Sequence, residues 1–256
     1  MCELLGMSAN VPTDICFSFT GLMQRGGRTG PHRDGWGITF YEIKGCRTFK
    51  DPAPCYDSPI ARLVQEHPIK SHVVIGHIRQ ANRGHVALEN THPFTREQWG
   101  SYWTFAHNGQ LSDYQFLLQI GKHQPVGDTD SEAAFCWLLN ELDRKFPQKH
   151  PDINALFRYL GDLCKQLQAF GSVNILLSDG KYVFAYCSNT LHWITRRAPF
   201  SQARLVDEDI SIDFQRETTP NDVVTIIATL PLTSDEQWHK MAANDYLLFH
   251  DGVSIS

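Results

Sequence analysis

Two long helical stretches stand back to back in the middle of this chain, with strand-like runs on both sides. The first, TDSEAAFCWLLNELDRKF, places Ala134, Trp137, Leu138 and Leu142 at helical spacing. The second, DINALFRYLGDLCKQLQAFG, carries Leu156, Leu160, Leu163 and Leu167 on one face, with Gly171 as its expected end. Before them come CELLGMS, a hairpin in WGITFYEIKGCRTFK with Lys44-Gly45 as its turn, and the apolar runs HVVIGHIR and YWTFAHNG. A short helix, SPIARLVQE, interrupts these with Ser58 as N-cap and Pro59 at the first helical position. After the two helices, VNILLSDGKYVFAYCS reads as a hairpin around Asp179-Gly180, followed by LHWITRR, DVVTIIAT and YLLFHDGVSIS as strands. This is not the βαβ rhythm of a parallel sheet. It suits an α+β fold of mainly antiparallel sheets packed on each other with helices outside.

No repeat or low-complexity linker divides the sequence, so residues 1–256 are expected to form a single domain. A formal charge of −5 supplies no basic field, which argues against nucleic acid and anionic lipid as partners. No apolar run approaches ~18 residues and no signal peptide follows Met1, so a cytoplasmic protein is expected. The 7 cysteines are an odd set without a C-x-x-C pair, which fits a reducing compartment rather than a disulfide framework. None of the 12 histidines falls in an H-x-x-x-H or H-E-x-x-H pattern, so no metal site is expected.

Several residues can carry chemistry. Cys2 lies directly behind the initiator. If Met1 is removed, Cys2 gains a free α-amine that titrates near ~7.7–8 and can serve its own thiol as base. If Met1 stays, that base is missing. The Asn108-Gly109 pair in AHNGQL reads either as a plain turn or as an oxyanion hole made of an amide and a backbone N–H. Arg79, at the end of a buried strand, is a fork for a carboxylate or half of a structural ion pair. In GDTDSE, Thr129 and Glu132 have capping-box spacing, and Asp130 suits the first helical turn, though it can also grip an ammonium. The glycines of HRDGWG mark a place around Trp36 where the backbone comes close to something.

Taken together, Cys2 behind Met1, G-H-x-R at 76–79, H-P at 92–93, H-N-G at 107–109 and T-D-S-E at 129–132 resemble the class II glutamine amidotransferase domain. That domain is an N-terminal-nucleophile hydrolase, and the resemblance, nearest to its stand-alone YafJ-type members, runs through essentially the whole chain. It implies a four-layer αββα sandwich. Position by position, it implies Cys2 as nucleophile, Asn108 and Gly109 as oxyanion hole, Arg79 on a substrate α-carboxylate and Asp130 on its α-ammonium. His92 and His107 fall in matching motifs and take supporting substrate-binding roles. These groups should converge on one cleft, with a substrate-sized gap between Cys2 and the Arg79–Asp130 pair. The chain departs from the family after Arg79, where Gln80-Ala81-Asn82 replaces the usual aromatic residue and a threonine two places later.

The implied activity is cleavage of the γ-amide of glutamine or a γ-glutamyl compound, without metal or organic cofactor. The alternatives are a hydrolase of a different γ-glutamyl peptide or amine, and a non-catalytic binding module on the same fold. An ammonia-accepting partner, if used, would be a separate protein.

Overall fold

The computed structural model describes residues 2–118, 121–147, 151–214 and 219–256. Met1, on which the Cys2 amine depends, lies outside the described residues. The first half contains β1 (Glu3–Thr13), α1 (Cys16–Arg25), β2 (Trp36–Glu42), β3 (Gly45–Asp51), α2 (Pro59–Glu66), β4 (Ser71–Ile78), β5 (Phe94–Gln98) and β6 (Ser101–Leu111). The helices α3 (Asp130–Lys145) and α4 (Ile153–Gln168) follow. Strands then return as β7 (Gly171–Ser178), β8 (Val183–Cys187), β9 (His192–Arg197), β10 (Gln202–Arg204) and β11 (Ser211–Asp213). The last four are β12 (Val223–Ala228), β13 (His239–Lys240), β14 (Asp245–His250) and β15 (Val253–Ser254).

Among the described residues these strands form one sheet in the order β13-β9-β12-β1-β4-β2-β3 and another in the order β15-β14-β8-β7-β6-β5. A small β10-β11 pair stands apart, and every described pairing is antiparallel. Three buried clusters account for four layers. Phe19, Leu22 and Ala61 of α1 and α2 pack on Leu5, Ile38 and Val74 of the first sheet. Leu4 and Ile75 of that sheet meet Ala106, Leu176 and Ala185 of the second. Phe105, Ile175 and Phe184 on the outer face of the second sheet are covered by Phe135, Leu138, Leu156 and Leu160 of α3 and α4. The αββα sandwich is therefore present, because each sheet is apolar on both faces and needs two partners.

The two central helices begin where their caps place them. Thr129 Oγ1 accepts from Glu132 N at 3.2 Å, and Asp152 caps α4 through Asn154 N and Ala155 N. The capping box is only half closed, however. The Glu132 carboxylate accepts from Gly127 N at 2.7 Å and pairs with Arg96 at 2.5 Å instead of returning to Thr129. Ser58 caps α2 as expected.

Other boundaries shift. Helix α4 stops at Gln168, and Gly171 opens β7 rather than closing the helix. The β2–β3 turn centres on Ile43-Lys44, since Glu42 pairs with Gly45. Helix α1 and strand β5 go unread in the sequence. Helix α1 has no side-chain cap and no acid in its first turn, and its FSFT run alternates like a strand. The close approach expected near Trp36 is real, but its partner is internal: a Cβ on Gly37 would overlap the His92 carbonyl oxygen.

Candidate active site

Strand alternation distributes the residues of the HNG segment. On β6, Phe105 and His107 face α3, whereas Ala106 points between the sheets, and Asn108 follows it there. His107 accepts from the Ser131 hydroxyl at Nδ1 (2.9 Å) and donates from Nε2 to the Ser172 carbonyl (3.1 Å). A carbonyl can only accept, so Nε2 carries a proton. Burial lowers its pKa, against the charge of Asp130.

Asn108 is fully buried. Its Nδ2 reaches Thr229 Oγ1 at 3.4 Å, and among the described residues its Oδ1 has no partner. Thr229 also takes Leu4 N at 2.9 Å, which fixes the start of β1 beside it. Gly109 lies against β7, where a Cβ would overlap the Ser172 carbonyl and crowd His107 Nε2. Gly109→Ala is expected to destabilise the fold by about 1–3 kcal/mol, the range for overpacking, and a thermal melt checks it. An unchanged melting temperature would show that β6 and β7 can part there.

Cys2, Arg79, Gly109 and Asp130 line one cleft, together with His92 and His107. Asn108, next to Gly109 on β6, is not in its lining. The cleft is narrow, about 30 Å³, rather than the substrate-sized gap expected. The reason is the backbone after Arg79, which closes on the thiol: Gln80 N donates to Cys2 Sγ at 3.3 Å, and Sγ lies 3.5 Å from Gln80 O. Burial raises the Cys2 pKa, while the Gln80 N–H and the Arg79 charge pull it back.

Arg79 is 3% exposed. Its Nη1 and Nη2 donate to the carbonyls of His85, Arg83 and Gly84 at 2.9, 2.8 and 3.5 Å. Among the described residues it forms no ion pair with a carboxylate. Asp130 does not supply one: Oδ2 accepts from Leu111 N at 2.7 Å and Oδ1 from Ser131 N at 2.9 Å, tying the end of β6 to the start of α3.

His92 packs its ring against His77 (4.2 Å between centroids) and Phe94 (4.4 Å), and among the described residues neither of its nitrogens has a partner. Desolvation drives the pKa of His92 well below 6.5 and that of His77 down to about 3, so both are neutral. The sequence reading gave no role here to His77, Ser131 or Thr229, and named Gln80 only as a departure from the family. His77 and Ser131 lie inside the 76–79 and 129–132 motifs and were within reach; Thr229 comes from a segment far along the chain.

Among the described residues, no cluster of three His, Cys, Asp or Glu side chains suits a metal ion, and no helix is long and apolar enough to cross a membrane.

A family model described as "Glutamine amidotransferases class-II" matches residues 1–256. The Escherichia coli (strain K12) protein YafJ is 66% identical over 255 residues, covering 100% of both chains. The crystal structure of a "predicted glutamine amidotransferase from Pseudomonas aeruginosa PA01" superposes with a TM-score of 0.80 at 53% identity, again over 100% of both chains. A Bacillus subtilis glutamine phosphoribosylpyrophosphate amidotransferase, 15% identical, shares the fold with a TM-score of 0.62 over 99% of this chain and 48% of its own. With its whole length matched by the family model and by a relative at this identity, the chain belongs to the class-II glutamine amidotransferases.

Proposed function

We propose that the protein is an N-terminal cysteine amidohydrolase that cleaves the γ-amide of glutamine or a γ-glutamyl compound after Met1 is removed. One observation carries this reading: a buried guanidinium without a carboxylate partner lines the same cleft as the Cys2 thiol and the Asp130 carboxylate. A permanently charged group left without a counter-ion in the interior is costly, and a bound carboxylate relieves that cost. The bonds Arg79 makes to the 83–85 carbonyls leave its Nε–H for an α-carboxylate. Asp130 keeps lone-pair capacity on Oδ2 for an α-ammonium.

In this reading the Gln80 peptide lifts from Cys2 to admit substrate. The thiol, held protonated by burial, passes its proton to its own α-amine and attacks the γ-carbonyl carbon. The developing oxyanion meets the Gly109 N–H and the Asn108 amide. A half-turn of that amide would let the Thr229 hydroxyl donate to Oδ1 and leave Nδ2 uncommitted, ready for the oxyanion. The γ-amine departs with the proton, and water cleaves the γ-glutamyl thioester.

Processed protein incubated with L-glutamine should release ammonia and glutamate in equal amounts, and no turnover of any γ-glutamyl amide would leave the binding-module reading in its place. Recognition of the amino-acid head separates from chemistry in two variants. Arg79→Lys should raise KM by about 10- to 100-fold, the worth of a charge-assisted contact, with a smaller change in kcat. Asp130→Asn should also raise KM, and it should lower the melting temperature, because an amide NH2 cannot accept from one of the two backbone N–H groups Asp130 now satisfies. If Asp130→Asn lowers the melting temperature but leaves both constants alone, Asp130 only starts a helix.

A further inference from the structure

Cys2 lines a second cavity, which shares only that residue with the head-group cleft. Its volume is about 500 Å³ against about 30 Å³ for the cleft. Ammonia, about the size of a water molecule with its ~30 Å³ share of the liquid, has no need of such a space. The cavity walls come from Glu3, Arg25, the 29–32 segment, Thr190, Val206-Asp207 and Thr229-Leu230.

The charges there are unequal. Arg25 Nε pairs with Asp207 Oδ2 at 2.6 Å and Nη1 with Glu3 Oε2 at 2.8 Å, and the same guanidinium also meets the Leu230 and Pro231 carbonyls. Thr29 donates to Asp207 Oδ1 at 2.9 Å. Two carboxylates thus face one cation. Among the described residues, the Glu3 carboxylate is hydrogen-bonded only through Oε2, and Glu3 stands next to Cys2 in sequence. Val206 and Leu230 hold apolar surface at the rim, 54% and 46% exposed. An ion pair that merely fastened α1 to the 207 loop would require neither a cavity of this size nor an uncommitted carboxylate oxygen beside Cys2.

We propose that this cavity is the amine-side subsite of the same reaction: it holds the leaving half of a γ-glutamyl amide whose amine is larger than ammonia and carries a cationic end toward Glu3. The inference rests on the proposed amidohydrolase reading and names the substrate class within it. Attack by Cys2 sulfur forms the C–S bond and breaks the C–N bond. The thiol proton reaches the departing nitrogen through the α-amine, and the free amine leaves by the cavity. Water then adds to the thioester carbon, the C–S bond breaks, and glutamate, the regenerated thiol and one proton result.

The test measures glutamate release, the product common to all substrates, by processed full-length protein. The substrates are glutamine, γ-glutamyl butylamide and γ-glutamyl 4-aminobutylamide. Expected is a kcat/KM for the aminobutylamide at least about 10-fold above glutamine and about 10-fold above the neutral butylamide, the worth of one charge-assisted contact. Glu3→Gln should bring the charged-to-neutral ratio toward one. Breaking its pair with Arg25 can unfold the protein, so Val206→Trp, at the rim, is the second variant. It should lower activity on both larger amides relative to glutamine. Glutamine turned over as well as or better than both larger amides overturns the subsite and leaves the glutaminase reading standing. Equal rates on charged and neutral amides overturn the role of Glu3. No glutamate from any of the three overturns the amidohydrolase reading itself.

Discussion

Cys2→Ala is expected to lower kcat by about 10⁶, the scale on which a lost nucleophile acts in a unit of cooperating groups. The melting temperature should stay near that of the unaltered protein, because among the described residues the thiol makes two weak contacts, both to the Gln80 backbone. The same logic applies to the amine. A Cys2 that still carries Met1 keeps its thiol but loses its base, and burial holds that thiol protonated. Retention of Met1 should therefore cost about 10²–10⁴ in rate, the range for general-base help. Intact mass spectrometry sorts the two forms before the kinetics are read. Equal activity from Met1-bearing and processed protein would sink the built-in-base mechanism.

The second large effect is at Asn108. Asn108→Ala should lower kcat by roughly 10²–10³, as loss of an oxyanion donor does elsewhere. Its effect on stability should be slight, and the reason is specific. A buried polar atom without a partner costs on the order of 1–3 kcal/mol, and Asn108 Oδ1 is such an atom, while Nδ2 makes only a 3.4 Å contact. Removing the side chain therefore removes a penalty along with a weak bond. A melt beside the kinetics decides between function and fold. If Asn108→Ala unfolds readily yet its folded fraction turns over at the parent rate, the residue is structural and the oxyanion hole lies elsewhere.

The α+β class was legible because the two central helices announce themselves, whereas the four-layer order followed only from the family resemblance. Thr129 offers a cap, and Leu156, Leu160, Leu163 and Leu167 repeat at helical spacing, all of which the structure buries. Helix α1 was not legible, since Phe17 and Phe19 alternate with small polar residues and no cap marks its start. The motif residues Cys2, Arg79, Gly109 and Asp130 do meet in one cleft. What the motifs did not carry is how tightly Gln80 closes on the thiol, or that Glu132 abandons Thr129 for Gly127 and Arg96. The Gln80–Cys2 and Arg96–Glu132 contacts join segments distant in sequence, and local patterns hold no record of them. The cavity beyond Cys2 was illegible for the same reason, because its walls are gathered from separate stretches between Glu3 and Leu230.

Strand β1 occupies the centre of its seven-stranded sheet, with Leu5 facing Gly76 on one side and Ala228 on the other. A ribosome delivers about 5–20 residues per second, so on the order of ten to fifty seconds pass between emergence of this strand and arrival of its second neighbour. Throughout that time one edge of β1 is open, and Thr229, which anchors Leu4, does not yet exist. If the proposed trimming is what frees the Cys2 amine, this interval is the opportunity for an aminopeptidase to reach the peptide bond ahead of it. On that reading strand order sets the maturation of Cys2 as a race against translation, and overproduction that outruns the peptidase would fill the cell with folded, inert molecules.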